Sequence, residues 1–163
     1  FIQSLNDEQY KMTANGKWTA GQQLQHLYLS VNPLTKALQL PHFILRFIFG
    51  KANRPSKTYE GLVEKYRSKL AAGGRASGRF IPKPVTVNEK KILIGKLQHT
   101  IKKLAAVINK YTEEELDQII LPHPLLGKIT LREMMYFTIY HAEHHLDITK
   151  RNLDETEKQD KKI

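Results

Sequence analysis

Leu24, Leu27, Val31, Leu34 and Leu38 recur at spacings of 3, 4, 3 and 4 residues, the period of a helix that buries one face. Thr19 stands where an N-cap is needed and Pro41 where the helix should stop, because proline cannot continue it. A second stripe, Leu93, Leu97, Ile101, Leu104, Ile108 and Tyr111, advances by steps of 4 and 3, with Thr86 or Asn88 placed to cap it. A third passes through Leu131, Met134, Thr138, His141, His145 and Ile148. Ahead of it Thr130 and Glu133 give the S/T-x-x-E signature of a capping box. Thr58 to Ala72 also reads as helix, with Tyr59, Leu62, Val63, Tyr66 and Leu70 on one side and Gly73-Gly74 at its end. Gly73 to Pro84 reads as a mobile loop, and Pro122-His123-Pro124 with Gly127 as a turn into the last helix. No internal repeat and no strand-like alternation of useful length is present. The pattern predicts an all-α chain, a helical bundle, as one domain over residues 1–153 followed by a polar tail, 154–163, that should fray.

At 163 residues, 40% hydrophobic and 26% charged, the chain suits one domain with a core of its own. It contains no cysteine, which removes thiolate ligands and cysteine nucleophiles. The most apolar run, Phe43 to Phe49, is broken by Arg46 and falls far short of the roughly 18 residues a membrane span needs. No membrane partner and a cytoplasmic location are therefore expected. The chain begins at Phe1 and no signal peptide is visible.

The net charge of +10 is uneven: residues 46–103 hold 15 Lys and Arg against only Glu60, Glu64 and Glu89. Such asymmetry can mark a surface for nucleic acid or for an acidic ligand. The aromatics of the stretch, Tyr59, Tyr66 and Phe80, are not grouped as a base-stacking platform, so a solubilising face is preferred to a nucleic-acid partner.

Candidate chemistry lies in Tyr140-His141-Ala142-Glu143-His144-His145. Positions 141 and 145 stack one turn apart on a helix, a spacing that suits two imidazoles sharing a metal. They also continue the apolar stripe of the last helix, so they should point inward, where unpartnered ring nitrogens are costly. On its own, H-x-x-x-H is common on helices that bind nothing. H-E-x-x-H is excluded by Ala142 and H-x-x-E-H by His144, and the paired Glu-x-x-His motifs of di-iron bundles are missing. Glu143 points away from the 141/145 face. His144, rotated about 100° from His145, belongs at the edge of any site.

Three stretches resemble the DinB-like superfamily, which includes bacillithiol S-transferases and mycothiol-dependent isomerases. Lys17-Trp18-Thr19-Ala20-Gly21-Gln22-Gln23-Leu24-Gln25-His26-Leu27 is similar to its tryptophan-led helix start with a histidine before leucine. His123-Pro124-Leu125-Leu126-Gly127-Lys128-Ile129-Thr130-Leu131-Arg132-Glu133 looks like its entry into the final helix. His141-Ala142-Glu143-His144-His145 matches its H-x-x-H-H block. The resemblance implies an up-down-down-up four-helix bundle, often a homodimer, with most of the first helix upstream of Phe1-Ile2-Gln3-Ser4-Leu5. It implies metal ligands at His26, His141 and His145. It also implies a divalent ion (zinc, nickel or iron(II)) and a low-molecular-weight thiol with an electrophile as partners. The implied function is a metal-dependent thiol S-transferase or hydrolase-type enzyme; the alternative is a non-catalytic, metal-stabilised binding or stress-response module. His26 lies about 120° from the Leu24–Leu38 stripe by helical angle, so its helix must bury a second face for His26 to reach the others.

Overall fold

The computed structural model describes residues 1–13 and 16–160, with side chains through Thr156. A 3-10 turn at Ile2–Ser4 and the short helix α1 (Asp7–Lys11) precede α2 (Ala20–Ala37), α3 (His42–Phe49) and α4 (Tyr59–Ala71). After 3-10 turns at Gly78–Phe80 and Val87–Glu89 come α5 (Lys90–Ile108) and α6 (Glu113–Gln118). The antiparallel hairpin β1 (Ile120–His123) and β2 (Gly127–Thr130) follows, and then α7 (Leu131–Asp160). The fold is mostly helical, and this hairpin is the sheet among the described residues.

The predicted caps of α2 and α7 form, whereas Thr86 caps the 3-10 turn at Val87–Glu89 and α5 itself starts without a side-chain cap. Thr19 accepts the Gln22 N–H while the Gln22 side chain accepts the Thr19 N–H, which satisfies two donors that a helix start otherwise strands. Thr130 and Glu133 do the same for α7. Thr58 caps α4, and α4 ends in a Schellman arrangement, with Gly73 N–H on Leu70 O and Gly74 N–H on Lys69 O. Gly73 has a φ of +91°, and a Cβ at Gly74 would sit 2.7 Å from Lys69 O, so the predicted Gly-Gly stop is a steric requirement.

Main helix contacts run from α5 to α2, from α2 to α7 and from α7 to α4. The core joins Val31 and Leu34 of α2 and its C-cap Leu38 to Leu62 and Tyr66 of α4, with Leu104, the hairpin's Leu121 and Ile129, and Leu131, Met134 and Phe137 of α7. Because α2 sits between α5 and α7, it buries two faces, and Gln23 and His26 are buried along with Leu24 and Val31. The requirement on His26 is met.

Several expectations change. Thr100, not Ile101, faces inward on α5: Ile101 is 42% exposed and Thr100 is buried. Its hydroxyl bonds the Lys96 carbonyl one turn back, and that partner lets a threonine replace an aliphatic residue in the seam. The segment 120–130 is a hairpin and not a simple turn, its strands being four residues each and too short to show alternation. The last helix extends past Asp154 into the polar tail, to Asp160; Leu153, just before it, is buried against α1 and α2 through Tyr10 and Ala20. Residues 161–163 of the expected tail lie outside the described residues. No described helix is long and apolar enough to cross a membrane.

Candidate metal centre

Two elements, α2 and α7, bring the three predicted histidines together. His26 stands in the second turn of α2, and His141 and His145 face it from one stripe of α7; all three are buried, at 6%, 3% and 6% exposure. Their Nε2 atoms converge. His141 Nε2 lies 3.2 Å from His26 Nε2 and 2.9 Å from His145 Nε2, and the three side chains form a group that could hold a metal ion.

Partners on the far side of the rings decide what those contacts are. His26 Nδ1–H donates to the Phe80 carbonyl at 2.7 Å, and His145 Nδ1–H donates to Gln23 Oε1 at 2.5 Å. A neutral imidazole carries one N–H, so Nε2 of His26 and Nε2 of His145 are both bare lone pairs. His141 can direct one proton at one of them. The remaining contact sets lone pair against lone pair in a buried site, which a cation relieves and a hydrogen bond cannot. In a tetrahedral three-nitrogen site with metal–nitrogen bonds of about 2.05 Å, the nitrogens stand about 3.3 Å apart. The observed separations need only tenths of an ångström of expansion to match.

Additional protons do not resolve the conflict. Burial pushes His141 well below its ordinary value, with His145 and His26 adding to the shift, and burial takes His145 down to about 3. His26 is lowered by burial against the opposing bond to Phe80. The cluster is therefore neutral at pH 7, the form in which imidazole binds metal.

Around the cluster is a cleft of about 640 Å³ between α2, α4, α7, the hairpin and the 74–80 segment. Trp18 packs on the site, its ring 5.1 Å from His26 and stacked 6.5 Å from His145. His144 sits at the edge as expected, 5.3 Å from the His145 ring and stacked on Tyr140. Glu143 is exposed and accepts a bond from Tyr59, so it does not serve the site. His123 also lines the cleft: its Nδ1 accepts N–H bonds from Leu125 and Leu126, and its ring lies 4.2 Å from Phe137. Burial, with Lys65 adding, lowers it to about 4.

Gln23, the Phe80 carbonyl and His123 were missed as functional groups in the sequence. Gln23 had a signal, lying three residues before His26 and so on the same side of the helix. A backbone carbonyl supplied by the 3-10 turn has none. Much of the basic stretch is engaged internally: Arg54 on Glu133, Lys65 on Leu126 O, Arg67 on Tyr140 and Lys90 on Leu5 O.

A pH dependence follows. Native His123 and His145 titrate near 4 and 3, while unfolded histidine titrates near 6.5, so unfolding takes up protons between those limits. The stability of the chelated protein is complete above about pH 6.5 and is lost as pH falls toward 4, by up to about 3 kcal/mol for His123 alone. Urea midpoints in EDTA, measured from pH 7.5 to 4, should fall across that window; a flat profile contradicts the assignment.

A model of the DinB superfamily matches residues 1–148. No match was found among curated proteins or among solved structures.

Proposed function

Because the chain belongs to the DinB superfamily, we propose that His26, His141 and His145 are the ligands of one divalent metal ion, zinc, nickel or iron(II), in a metal-dependent enzyme of the thiol S-transferase or hydrolase type. One observation carries the reading: with both outer Nδ1 protons committed to Phe80 O and Gln23 Oε1, the three Nε2 atoms form a donor set short of protons. A bound divalent ion supplies Lewis-acid activation of a thiol or water at neutral pH, and three neutral imidazoles leave its charge undiminished with room for another ligand.

The chain's own groups do the rest. Gln23 and the Phe80 carbonyl lock the tautomers of two ligand rings. Trp18 and Phe137 pack against the cluster and exclude water from one side of it. His123 is held with Nδ1 as acceptor, so its one proton sits on Nε2 and serves as a donor within the cleft. On the same reading the helices belong to the family's up-down-down-up four-helix bundle, and its assembly is a homodimer.

A second reading, a metal-stabilised binding or stress-response module without turnover, is favoured by one feature: no Asp or Glu lines the cleft among the described residues, so carboxylate acid–base catalysis has no candidate there. The two readings separate experimentally. Elemental analysis of purified protein should find one divalent ion per chain. A screen of low-molecular-weight thiols against electrophiles should then give turnover that is lost on chelation and restored by one ion. Turnover that survives His141→Ala combined with His145→Ala ends the enzymatic reading at this site. A large chelator-induced fall in melting temperature with no turnover selects the module.

A further inference from the structure

The cleft is polarised along its length. From His26 to Ala37 the wall of α2 runs eleven residues, about 16 Å at 1.5 Å per residue, and Met134 precedes His145 by the same interval on α7. At one end stand the histidines, with Arg79 on the rim beside the carbonyl that holds His26, and Lys17, whose ammonium is paired with Glu155 at 2.6 Å. At the other end the wall is aliphatic and aromatic, including Leu34, Leu70, Leu121 and Met134. Two of its hydroxyls are withdrawn: Ser30 bonds the carbonyl of His26 and Thr138 that of Met134, each one turn back on its own helix. The charged residues lining the cleft, among those described, are all cationic; the third of them, Arg75, lies beside Leu70 and is turned onto the Leu70 and Gly74 carbonyls.

We propose that the ligand of this cleft is an amphipathic anion, an acidic head group on an alkyl body, with the head at the histidine end and the body along the trough between α2 and α7. The proposal rests on the metal reading for the head group, whereas the trough exists independently of it. An anion is selected by charge at the histidine pole, where a dication would add to Arg79, the charge of Lys17 being offset by Glu155. An apolar body is selected because a polar one would lose hydration and find few partners on this wall beyond the Nε2–H of His123, while each buried methylene contributes about 0.8 kcal/mol.

Isothermal titration of the zinc-loaded chain with acetate, hexanoate and decanoate tests this. Affinity should rise by roughly fourfold per methylene until the trough is filled, and decyltrimethylammonium, with the same tail and opposite charge, should not compete. A chain-length series that is flat overturns the proposal, as does decyltrimethylammonium binding as tightly as decanoate. Ala37→Phe, which fills the far end, should bring decanoate down to the level of hexanoate and leave hexanoate unchanged. Should that variant fail to fold, the wild-type series decides alone. The two readings fail separately. A chain that binds zinc but shows no length dependence keeps the metal site and loses the trough; one that takes up no zinc yet prefers decanoate to acetate does the reverse.

Discussion

Replacing His141 with alanine is expected to weaken zinc binding by more than about a hundredfold, since loss of an outer-shell partner alone commonly costs 10- to 100-fold. His141 is the hub of the cluster: its Nε2 makes both short contacts, 3.2 Å to His26 and 2.9 Å to His145. Without it the two remaining nitrogens offer one ligand from each helix. The effect on stability should depend on metal. In zinc at about 100 times Kd the wild type gains about 2.7 kcal/mol that the variant does not. In chelator the difference should shrink, because the wild type then keeps its unrelieved lone-pair contact. Gln23→Ala should fall between the two, weakening binding by about 10- to 100-fold through the freed tautomer of His145. Metal titration against a chromophoric chelator, with melting curves in zinc and in EDTA, reads all of this. Equal zinc affinity in wild type and His141→Ala would remove the site.

How far the sequence carried depends on the length scale of each signal. The long helices were legible because α2, α5 and α7 each repeat their apolar positions over several turns, and because caps such as Thr19 and Thr130 mark their starts. Elements that occupy a turn or two were not: α6 and the two four-residue strands are shorter than the window in which a period becomes visible. The shift from Ile101 to Thr100 has another origin, since both lie within a permissible stripe and only the packing of α5 on α2 selects between them.

At the site, His141 and His145 were readable from spacing on an inward stripe. His26 was not, because its own helix has a stronger stripe elsewhere; only the resemblance placed it, and the burial of a second face of α2 explains why it fits. The polarity of the trough depends on Ser30 and Thr138 turning to their own backbones, a rotamer choice that composition does not reveal.

Glu133→Ala is expected to be the most destabilising single change away from the histidines, by about 2–4 kcal/mol, chiefly the cost of leaving its backbone donors without an acceptor. Glu133 is fully buried and accepts four bonds: a two-pronged pair from Arg54 at 2.7 and 2.8 Å, the Lys57 N–H at 2.8 Å and the Thr130 N–H at 2.9 Å. Burial alone would raise its carboxyl, but Arg54 and the two backbone donors outweigh that and hold it below its ordinary value. The carboxylate thus performs two tasks, closing the capping box of α7 and pinning the 54–57 segment that leads into α4. Alanine leaves the N–H groups of buried Thr130 and exposed Lys57 without that acceptor; an unsatisfied buried donor costs about 1–3 kcal/mol, and the Lys57 N–H less because water can reach it. Arg54, whose side chain is 35% exposed, can turn to solvent, so most of the loss comes from the backbone donors rather than from a stranded cation. Glu133→Gln keeps an acceptor oxygen and should therefore cost clearly less. Urea denaturation of both variants in EDTA measures this without the metal contribution, and an alanine variant no less stable than the glutamine one would show that the backbone donors find other partners. Because α7 carries His141 and His145 two and three turns beyond this cap, the same variant should also weaken zinc binding, by a smaller factor than His141→Ala. The coupling runs through the helix: its first turn sets the position from which both imidazoles project toward His26.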